Sequence, residues 1–312
     1  MGEPGTNGPD RIVFESGAVC VGEFRCATDH PLFRNSGPCS HYCFVFPRTA
    51  VVIRHANARI VADATVATLY NRAQEYEREP LSPRGDRCEW FGVSPELLRD
   101  ALEARDPQAA DDERRPMRFT HAPVDAALYL AQRQLFRRVK DGRADTLCVE
   151  ETVVGLLDAV LACAYGTRAC TGPTAARSRG LVHDTQCLLD RRAAEPLGLS
   201  DIAQAVGASM FHLCRCFRAG TGLTLHEYRT QLRLRGALEA LESADCDLTR
   251  LALDAGFSSH SHFTAAFRRL FGATPSRVRA DLGEAPAKAD RRVFAATPSR
   301  VRSLLISERR SR

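Results

Sequence analysis

The sequence is short of lysine, of tryptophan and of long apolar runs. Of its 43 basic residues only Lys140 and Lys288 are lysines, and tryptophan occurs once. The longest apolar stretch, residues 152–166, contains Asp158 and is too short to cross the roughly 30 Å of a bilayer core. The first residues also lack the apolar segment of a secretory signal. We therefore expect a cytoplasmic protein without a membrane partner.

Motifs of common enzymes are absent as well. The sequence has neither the phosphate-binding loop motif nor the His-Glu-x-x-His motif of zinc proteases. It also has no Pro-Cys-His sequence, which marks DNA-repair methyltransferases that carry a similar helical domain. Cys39 follows a proline but precedes Ser40. We expect a protein that is not an enzyme and that needs no cofactor.

The N-terminal half contains a group of cysteines and histidines that allows two interpretations. The chain has 12 cysteines, and without a secretory signal we expect them to be reduced or metal-bound. Cys26, His30, Cys39 and Cys43 are candidate ligands of a metal or members of a redox-sensing site, although their spacing matches no closed zinc module. The alternative is that the cysteines are buried and pack as small hydrophobic residues.

The pattern of residues 12–95 predicts strands, and that of residues 95–165 predicts helices. Short segments rich in Val, Phe and Ile lie between Gly, Pro and Asn, and they predict strands near 13–14, 18–24, 42–46, 50–55, 59–61 and 66–70. Their close spacing favours a small barrel or sandwich. Amphipathic helices are predicted over 124–139 and 148–163, and their apolar faces need cover from the barrel or from a second copy of the chain.

Composition then divides the chain into four parts. Residues 1–165 form the N-terminal unit, and the Gly-, Thr-, Ser- and Ala-rich residues 166–180 predict a linker. Residues 181–282 are helical by pattern, and 283–312 form a basic tail. Because basic residues accumulate toward the C-terminus, a polyanion is expected to bind at that end. The tail repeats the sequence ATPSRVR, which we interpret as a local duplication without a fold of its own.

Residues 199–217 have the spacing of a helix-turn-helix. Ser200 is expected to cap a short helix over 201–206, Gly207 to make the turn, and Ser209 to cap the second helix. In such a unit the second helix enters the major groove of DNA. A plain helical hairpin is the alternative for a single copy of this pattern.

A second copy of the pattern follows. Residues 248–267 repeat it, with Thr249 as the first cap and Ser258 or Ser259 as the second. Between the two copies, residues 224–241 predict a continuous helix about 27 Å long. A helix of that length can hold two recognition helices about one DNA turn apart, ~34 Å.

Residues 181–282 resemble the DNA-binding domain of the AraC/XylS transcription regulators. The most specific feature is the pattern GF-x5-F-x3-F-x3-FG-x-TPS-x-x-R over residues 256–279, with Val278 where the family usually has Tyr. The resemblance implies an all-α domain in which a central helix joins two helix-turn-helix units. It also implies an N-terminal cupin-like β-barrel with trailing helices that bind an effector or dimerise, so the expected class is α+β.

The resemblance further implies that Phe211, Cys214 and Arg215 of the first unit face DNA. The other candidates, taken from their positions on the helices, are Ser209, His212 and Arg218 in the first unit and Ser259, His260, Ser261, His262, Ala265 and Arg268 in the second. Helical geometry agrees independently, because positions 211, 214, 215 and 218 share one stripe while 213 and 217 face the core.

These side chains differ in the chemistry that they offer to DNA. We expect Arg215 to bind guanine O6 and N7, and Arg218 to bind phosphate. Phe211 is expected to contact a thymine methyl group, with core packing as the alternative, and Cys214 to contribute shape. Ala265 offers no hydrogen bond. The histidines of the second unit contact DNA or form solvated surface.

Together these features predict a sequence-specific DNA-binding regulator of transcription, by family habit an activator. The expected partners are promoter DNA, a small-molecule effector, a second copy of the chain in a homodimer, and RNA polymerase in the case of activation. The alternative is a metal- or thiol-redox-sensing regulator that uses the N-terminal Cys/His group.

Overall fold

The computed structural model describes residues 8–34, 38–55, 58–166, 173–242 and 246–283. The strands are β1 Asp10–Glu15, β2 Val19–Cys26, β3 Tyr42–Pro47, β4 Val51–His55, β5 Ala58–Ala62, β6 Val66–Tyr70, β7 Glu77–Pro80, β8 Asp86–Val93 and β9 His121–Pro123. The helices are α1 Pro95–Glu103, α2 Pro107–Ala110, α3 Ala126–Lys140, α4 Thr146–Gly166, α5 Pro173–Arg191, α6 Leu199–Ala205, α7 Met210–Thr221, α8 Leu225–Leu241, α9 Leu248–Asp254, α10 His260–Phe271 and α11 Pro275–Gly283.

The N-terminal strands form two antiparallel sheets. One has the order β1-β2-β8-β3-β6-β9 and the other β5-β4-β7. Sheets followed by helices confirm the mixed class, but in the described part of the chain no ladder closes the strands into the expected cupin-like barrel. The core explains this arrangement, because Phe24 and Trp90 of the large sheet pack with Val51 and Ile53 of the small sheet, as in a sandwich.

Strands β7, β8 and β9 were not predicted from the sequence. In β8 the residues Asp86 and Glu89 interrupt the apolar pattern, yet both are buried. Each pairs with a buried arginine, Asp86 with Arg78 and Glu89 with Arg133. Charged residues can be buried in a core when they are paired. Strand β8 is therefore central in the sheet, although its charged residues do not give the apolar pattern of a buried strand.

Helices α3 and α4 cover the outer face of the large sheet. Val153, Leu156 and Leu157 of α4 are at most 1% exposed and belong to the same core as Phe44 and Phe91 of the sheet. The sandwich therefore buries most of the apolar surface of the two predicted helices.

The predicted linker is partly helical, because α5 begins at Pro173 within the segment 166–180. Residues 167–172 lie outside the described part. The tail from residue 284 onward, with its repeated ATPSRVR, lies outside it too. No helix within the described residues is both long enough and apolar enough to span a bilayer.

The C-terminal helices form two helix-turn-helix units joined by α8. Gly207 has φ of 66° in the turn between α6 and α7, and Gly256 has φ of 78° in the turn between α9 and α10. Glycine adopts this left-handed conformation without the penalty that a side chain imposes. At Gly256 a Cβ would also lie 2.5 Å from the carbonyl oxygen of Ala194. Both the left-handed backbone and the lack of space therefore exclude a larger residue at this position.

Two of the predicted helix caps are wrong. Helix α6 begins after Gly198, whose backbone N–H donates to Asp201 at 2.8 Å, rather than after Ser200. Helix α9 begins after Asp247, which accepts from the backbone N–H of Thr249 at 2.9 Å. In both cases a nearby carboxylate satisfies an orphan N–H group and so moves the start of the helix upstream of the predicted hydroxyl cap.

Candidate nucleic-acid interface

Helix α7 has one stripe of residues that is buried in the core and an opposite stripe that is exposed to solvent. Leu213 and Phe217 are fully buried, and the Phe217 ring packs edge-on against Tyr228 of α8 at 5.2 Å. The residues of the opposite stripe are exposed, and they are Phe211, Cys214, Arg215 and Arg218. His212 is half-buried, with its ring nitrogens 3.6 Å from the Cys216 sulfur, so it lies at the edge of the exposed stripe.

Phe211 and Arg215 form one unit on this stripe. The Phe211 side chain is 78% exposed, so the core-packing alternative is wrong. The Arg215 guanidinium carbon lies 5.8 Å from the centroid of the Phe211 ring, one helical turn away. This contact restricts the guanidinium to the exposed face. The pair presents an apolar surface that suits a thymine methyl group, and beside it a bidentate donor that suits an adjacent guanine.

Ser209 and Ser259 occupy equivalent positions at the starts of the recognition helices, α7 and α10. The Ser209 hydroxyl accepts from the His212 backbone N–H at 3.3 Å, and the Ser259 hydroxyl accepts from that of His262 at 3.2 Å. Both serines are therefore N-caps, as predicted. Each hydroxyl still has its own proton to donate, and phosphate is a suitable acceptor at a helix N-terminus.

Helix α10 repeats the division of α7. Phe263 and Phe267 are fully buried, and Phe257 in the preceding turn packs against Phe263 at 5.4 Å. The predicted contact residues of this unit are exposed, and they are Ser259, His260, Ser261, His262, Ala265 and Arg268. The structure therefore brings the second predicted set together on one surface.

The two histidines of α10 have contacts within their own helix-turn-helix unit. The His262 Nδ1 atom lies 3.2 Å from the Ser258 hydroxyl, and its ring packs edge-on against Phe257 at 5.4 Å. The His260 Nε2 atom lies 3.4 Å from the Thr264 hydroxyl. These local contacts fit either of the two interpretations, DNA contact or solvated surface.

The arginines of the recognition helices form no ion pairs in the described part of the chain. None of the ion pairs within the described residues includes Arg215, Arg218, Arg268 or Arg269. All four side chains are exposed. An unneutralised guanidinium can replace a counterion on the phosphate backbone, so both helices are suited to bind a polyanion.

Helix α8 attaches these units to the N-terminal sandwich, which the sequence did not predict. The Tyr228 hydroxyl donates to the buried carboxylate of Asp63 in the turn between β5 and β6. Arg235, only 2% exposed, donates to the carbonyl oxygens of Ala64 and, at 2.7 Å, of Val124. The only feature of the local sequence that could have indicated this contact is Arg235, a basic residue on an otherwise apolar face of α8.

A network of ion pairs strengthens the same contact. Glu89 of β8 accepts from Arg133 of α3 and, at 3.2 Å, from Arg48. Arg133 also pairs with Glu242, the residue that follows α8. Glu89 and Arg133 are at most 3% exposed, and the half-buried Glu242 completes a chain of charges from the sheet to the end of α8.

Between the two sheets lies a cavity of about 340 Å³. Aromatic rings contribute much of its wall, and they belong to Phe24, Tyr70, Tyr76 and Trp90. Its charged lining residues are Asp10, Arg78 and Asp86, and the Arg78 Nε atom lies 2.5 Å from Asp86. The volume is that of a small-molecule site.

The N-terminal cysteines are mostly buried. Cys26 and Cys43 are at most 8% exposed. Burial raises the pKa of Cys26, and a hydrogen bond with Cys39 together with burial raises the pKa of Cys43. His30 instead accepts a backbone N–H from Leu32 at 3.1 Å. Within the described residues no three His, Cys, Asp or Glu side chains are grouped as metal ligands. Protonated buried thiols are poor nucleophiles, and the metal- or redox-sensing hypothesis stays a prediction.

Comparisons of the sequence with known proteins match about a third of the chain or less. Residues 202–281 match the family model described as a helix-turn-helix domain. The chain is 33% identical over 99 residues to the regulatory protein SoxS of Escherichia coli K12, which covers 32% of this chain and 92% of SoxS. It is 38% identical over 85 residues to the probable transcription factor PqrA of Proteus vulgaris, covering 27% of this chain and 70% of PqrA.

A longer regulator is matched over part of its length only. The chain is 31% identical over 107 residues to the HTH-type transcriptional regulator ExsA of Pseudomonas aeruginosa, which covers 34% of this chain and 38% of ExsA. The matches to SoxS and PqrA, by contrast, cover most of those proteins, and the family model spans residues 202–281, which carry both helix-turn-helix units. The chain therefore belongs to the AraC/XylS family of DNA-binding transcriptional regulators.

Proposed function

We propose that the protein binds promoter DNA in a sequence-specific manner through α7 and α10 and regulates transcription in response to a signal. The observation that carries this proposal is the pair of capped recognition helices, each with an exposed polar stripe, that α8 holds in one domain. By family habit the protein is an activator that contacts RNA polymerase, and promoter binding places it in the cytoplasm.

Selection of binding sites from a random pool of duplexes tests sequence-specific binding. The full-length chain is expected to enrich a site with two conserved blocks about one helical turn apart, because each recognition helix enters one major groove. The block bound by α7 should contain a guanine, the base that Arg215 can bind through two hydrogen bonds. A pool that stays random after repeated rounds would contradict sequence-specific binding.

The sandwich is suited to carry a signal because β8 lies between the cavity and the DNA-binding domain. Asp86, Cys88 and Trp90 line the cavity, whereas the alternate residues Arg87 and Glu89 face the other way and form ion pairs. Arg87 pairs with α8 directly, and Glu89 is linked to the end of α8 through Arg133 and Glu242. A ligand that displaces one set of β8 residues also shifts the other set. We propose that the effector acts along this path.

We place the contact of the proposed homodimer on the outer face of α4. Leu147 and Val154, seven residues apart and so on one helix face, are 64% and 40% exposed. Leu156 of the same helix is 1% exposed and belongs to the core of its own chain, so it is not available to a partner. Exposed aliphatic residues along one face are typical of a contact between helices.

Val154→Asp is expected to shift the protein from dimer to monomer, because the contact would bury an unpaired carboxylate. Sedimentation equilibrium of the full chain measures this shift. The matched control is Ile12→Asp on β1, a substitution of the same kind at an apolar residue that is 49% exposed. If the Val154→Asp variant sediments as a dimer, the homodimer contact does not lie on this face of α4.

A further inference from the structure

The cavity between the sheets combines aromatic walls with an excess of negative charge. Two carboxylates, Asp10 and Asp86, face a single guanidinium, Arg78. A hydrogen bond with Cys39 and burial raise the pKa of Cys43, and burial raises the pKa of Cys88, so these two thiols stay protonated and uncharged. Arg78 is the only arginine or lysine among the described residues of the wall, so one of the two carboxylates has no guanidinium or ammonium partner there.

The two carboxylates occupy different environments. Asp86 is 3% exposed and already bound to Arg78, so its charge is neutralised within the wall. Asp10 is exposed on β1, and its Oδ1 atom accepts from the Trp90 indole N–H at 2.7 Å. Other wall residues near it in the chain, Gly8 and Pro9, are also solvent-accessible, which places Asp10 at the mouth of the cavity. Asp10 is therefore the carboxylate that an entering ligand meets.

The wall of the cavity already contains one cation, Arg78, that packs against aromatic rings. The Arg78 guanidinium carbon lies 4.0 Å from the centroid of Phe24 and 4.9 Å from that of Tyr76. The Trp90 ring lies flat against β2 because residue 22 is glycine, where a Cβ would be only 2.2 Å from the ring. His41 stacks on Trp90 with ring centroids 5.8 Å apart. Such a wall suits a flat ring ligand, and an aromatic environment favours a cation on that ring.

We propose that the cavity takes a flat aromatic ligand with a positive charge, such as an amidine or an amine on a ring, with the ring beside Trp90 and Tyr70 and the charge at Asp10. This inference rests on the proposed role of the N-terminal unit as the signal sensor and names the chemical class of its effector. Arg78 neutralises Asp86 and gives one end of the cavity a fixed polar group, while Asp10 selects the charge of the ligand.

Trp90 makes the proposal measurable, since it is the only tryptophan of the chain and lines the cavity. We would titrate the full chain with benzamidinium, benzamide and benzoate, which have nearly the same shape but are cationic, neutral and anionic. At pH about 8, where an unperturbed imidazole is neutral, tryptophan fluorescence reports binding. The melting temperature gives a second readout. We expect benzamidinium to bind most tightly and benzoate most weakly.

Asp10→Asn tests the role of the carboxylate, because the amide oxygen can still accept from the Trp90 indole. The variant is expected to lose about tenfold in affinity for benzamidinium and little for benzamide, as the removal of one charge interaction predicts. Glu15→Gln is the matched control, since it removes a carboxylate from the same strand outside the cavity wall, and it should bind like the wild type.

Three outcomes would overturn the proposal: benzoate bound most tightly, no probe detected by either readout, or the same benzamidinium affinity in the wild type and Asp10→Asn. DNA binding of the same preparations separates this inference from the proposed function. A protein that selects a DNA site but fails the probe test contradicts only the ligand class. A protein that binds benzamidinium but no DNA contradicts the proposed function.

Discussion

Replacing Arg215 with alanine is expected to weaken binding to the selected DNA site by about 1–3 kcal/mol, roughly 5- to 150-fold. The guanidinium is exposed on α7, supported by the Phe211 ring, and not neutralised by any carboxylate of the described residues. Because two hydrogen bonds to guanine O6 and N7 carry sequence information, the preference for guanine at one position should also be lost. Titrations on the site and on its guanine variants, at fixed salt, measure both effects.

Arg218→Ala is the matched control for this variant. It removes the same charge from the same helix, and we expect it to weaken binding to all sequence variants equally and to reduce the salt dependence. Ser261→Ala on α10 should cost less than Arg215→Ala and change sequence preference little. Equal loss on every guanine variant for Arg215→Ala would show that Arg215 binds phosphate and that α7 reads the site in another way.

Glu89→Gln should produce the largest loss of stability, about 3–5 kcal/mol in the free energy of unfolding. Glu89 is 1% exposed and is the shared partner of Arg48 and Arg133, which are themselves largely buried. The amide removes the most buried of the carboxylates that compensate the two guanidinium groups, while Glu239 and Glu242 remain as partners. Chemical denaturation of the full chain measures the loss.

Glu195→Gln provides the control for Glu89→Gln. Glu195 pairs with Arg192 at the surface, where both side chains are more than two-fifths exposed, so water replaces the lost partner. The control should unfold almost as the wild type does. If Glu89→Gln were equally stable, the buried network would not hold the end of α8 to the sandwich, and the proposed path from the cavity would lose its basis.

The helix-turn-helix units could be predicted from the sequence because their signals are local. A glycine in each turn, a serine before each recognition helix and apolar residues at helical spacing lie within about twenty residues of one another. The same reasoning separated buried Leu213 and Phe217 from the exposed stripe of α7. It placed two caps incorrectly, since Asp201 and Asp247 compete with nearby hydroxyls for the same backbone groups.

Features that depend on distant residues could not be predicted in this way. Arg235 and Ala64, which bond across the domain contact, are 171 residues apart. Strand β8 was hidden because the partners of its charged residues, Arg78 and Arg133, lie on other elements. The open sandwich in place of a closed barrel depends on which strands pair, and strand composition alone does not determine pairing.

Footprinting of the full chain on its selected site tests sequence-specific binding by two helix-turn-helix units most directly. Hydroxyl-radical cleavage should be suppressed in two patches on one face of the duplex, about 10 base pairs apart, because α8 holds α7 and α10 in adjacent major grooves. The protection should persist against an excess of unrelated DNA. Protection without preference for any position, or lost to unrelated DNA at equal concentration, would contradict the conclusion that this protein is a sequence-specific regulator.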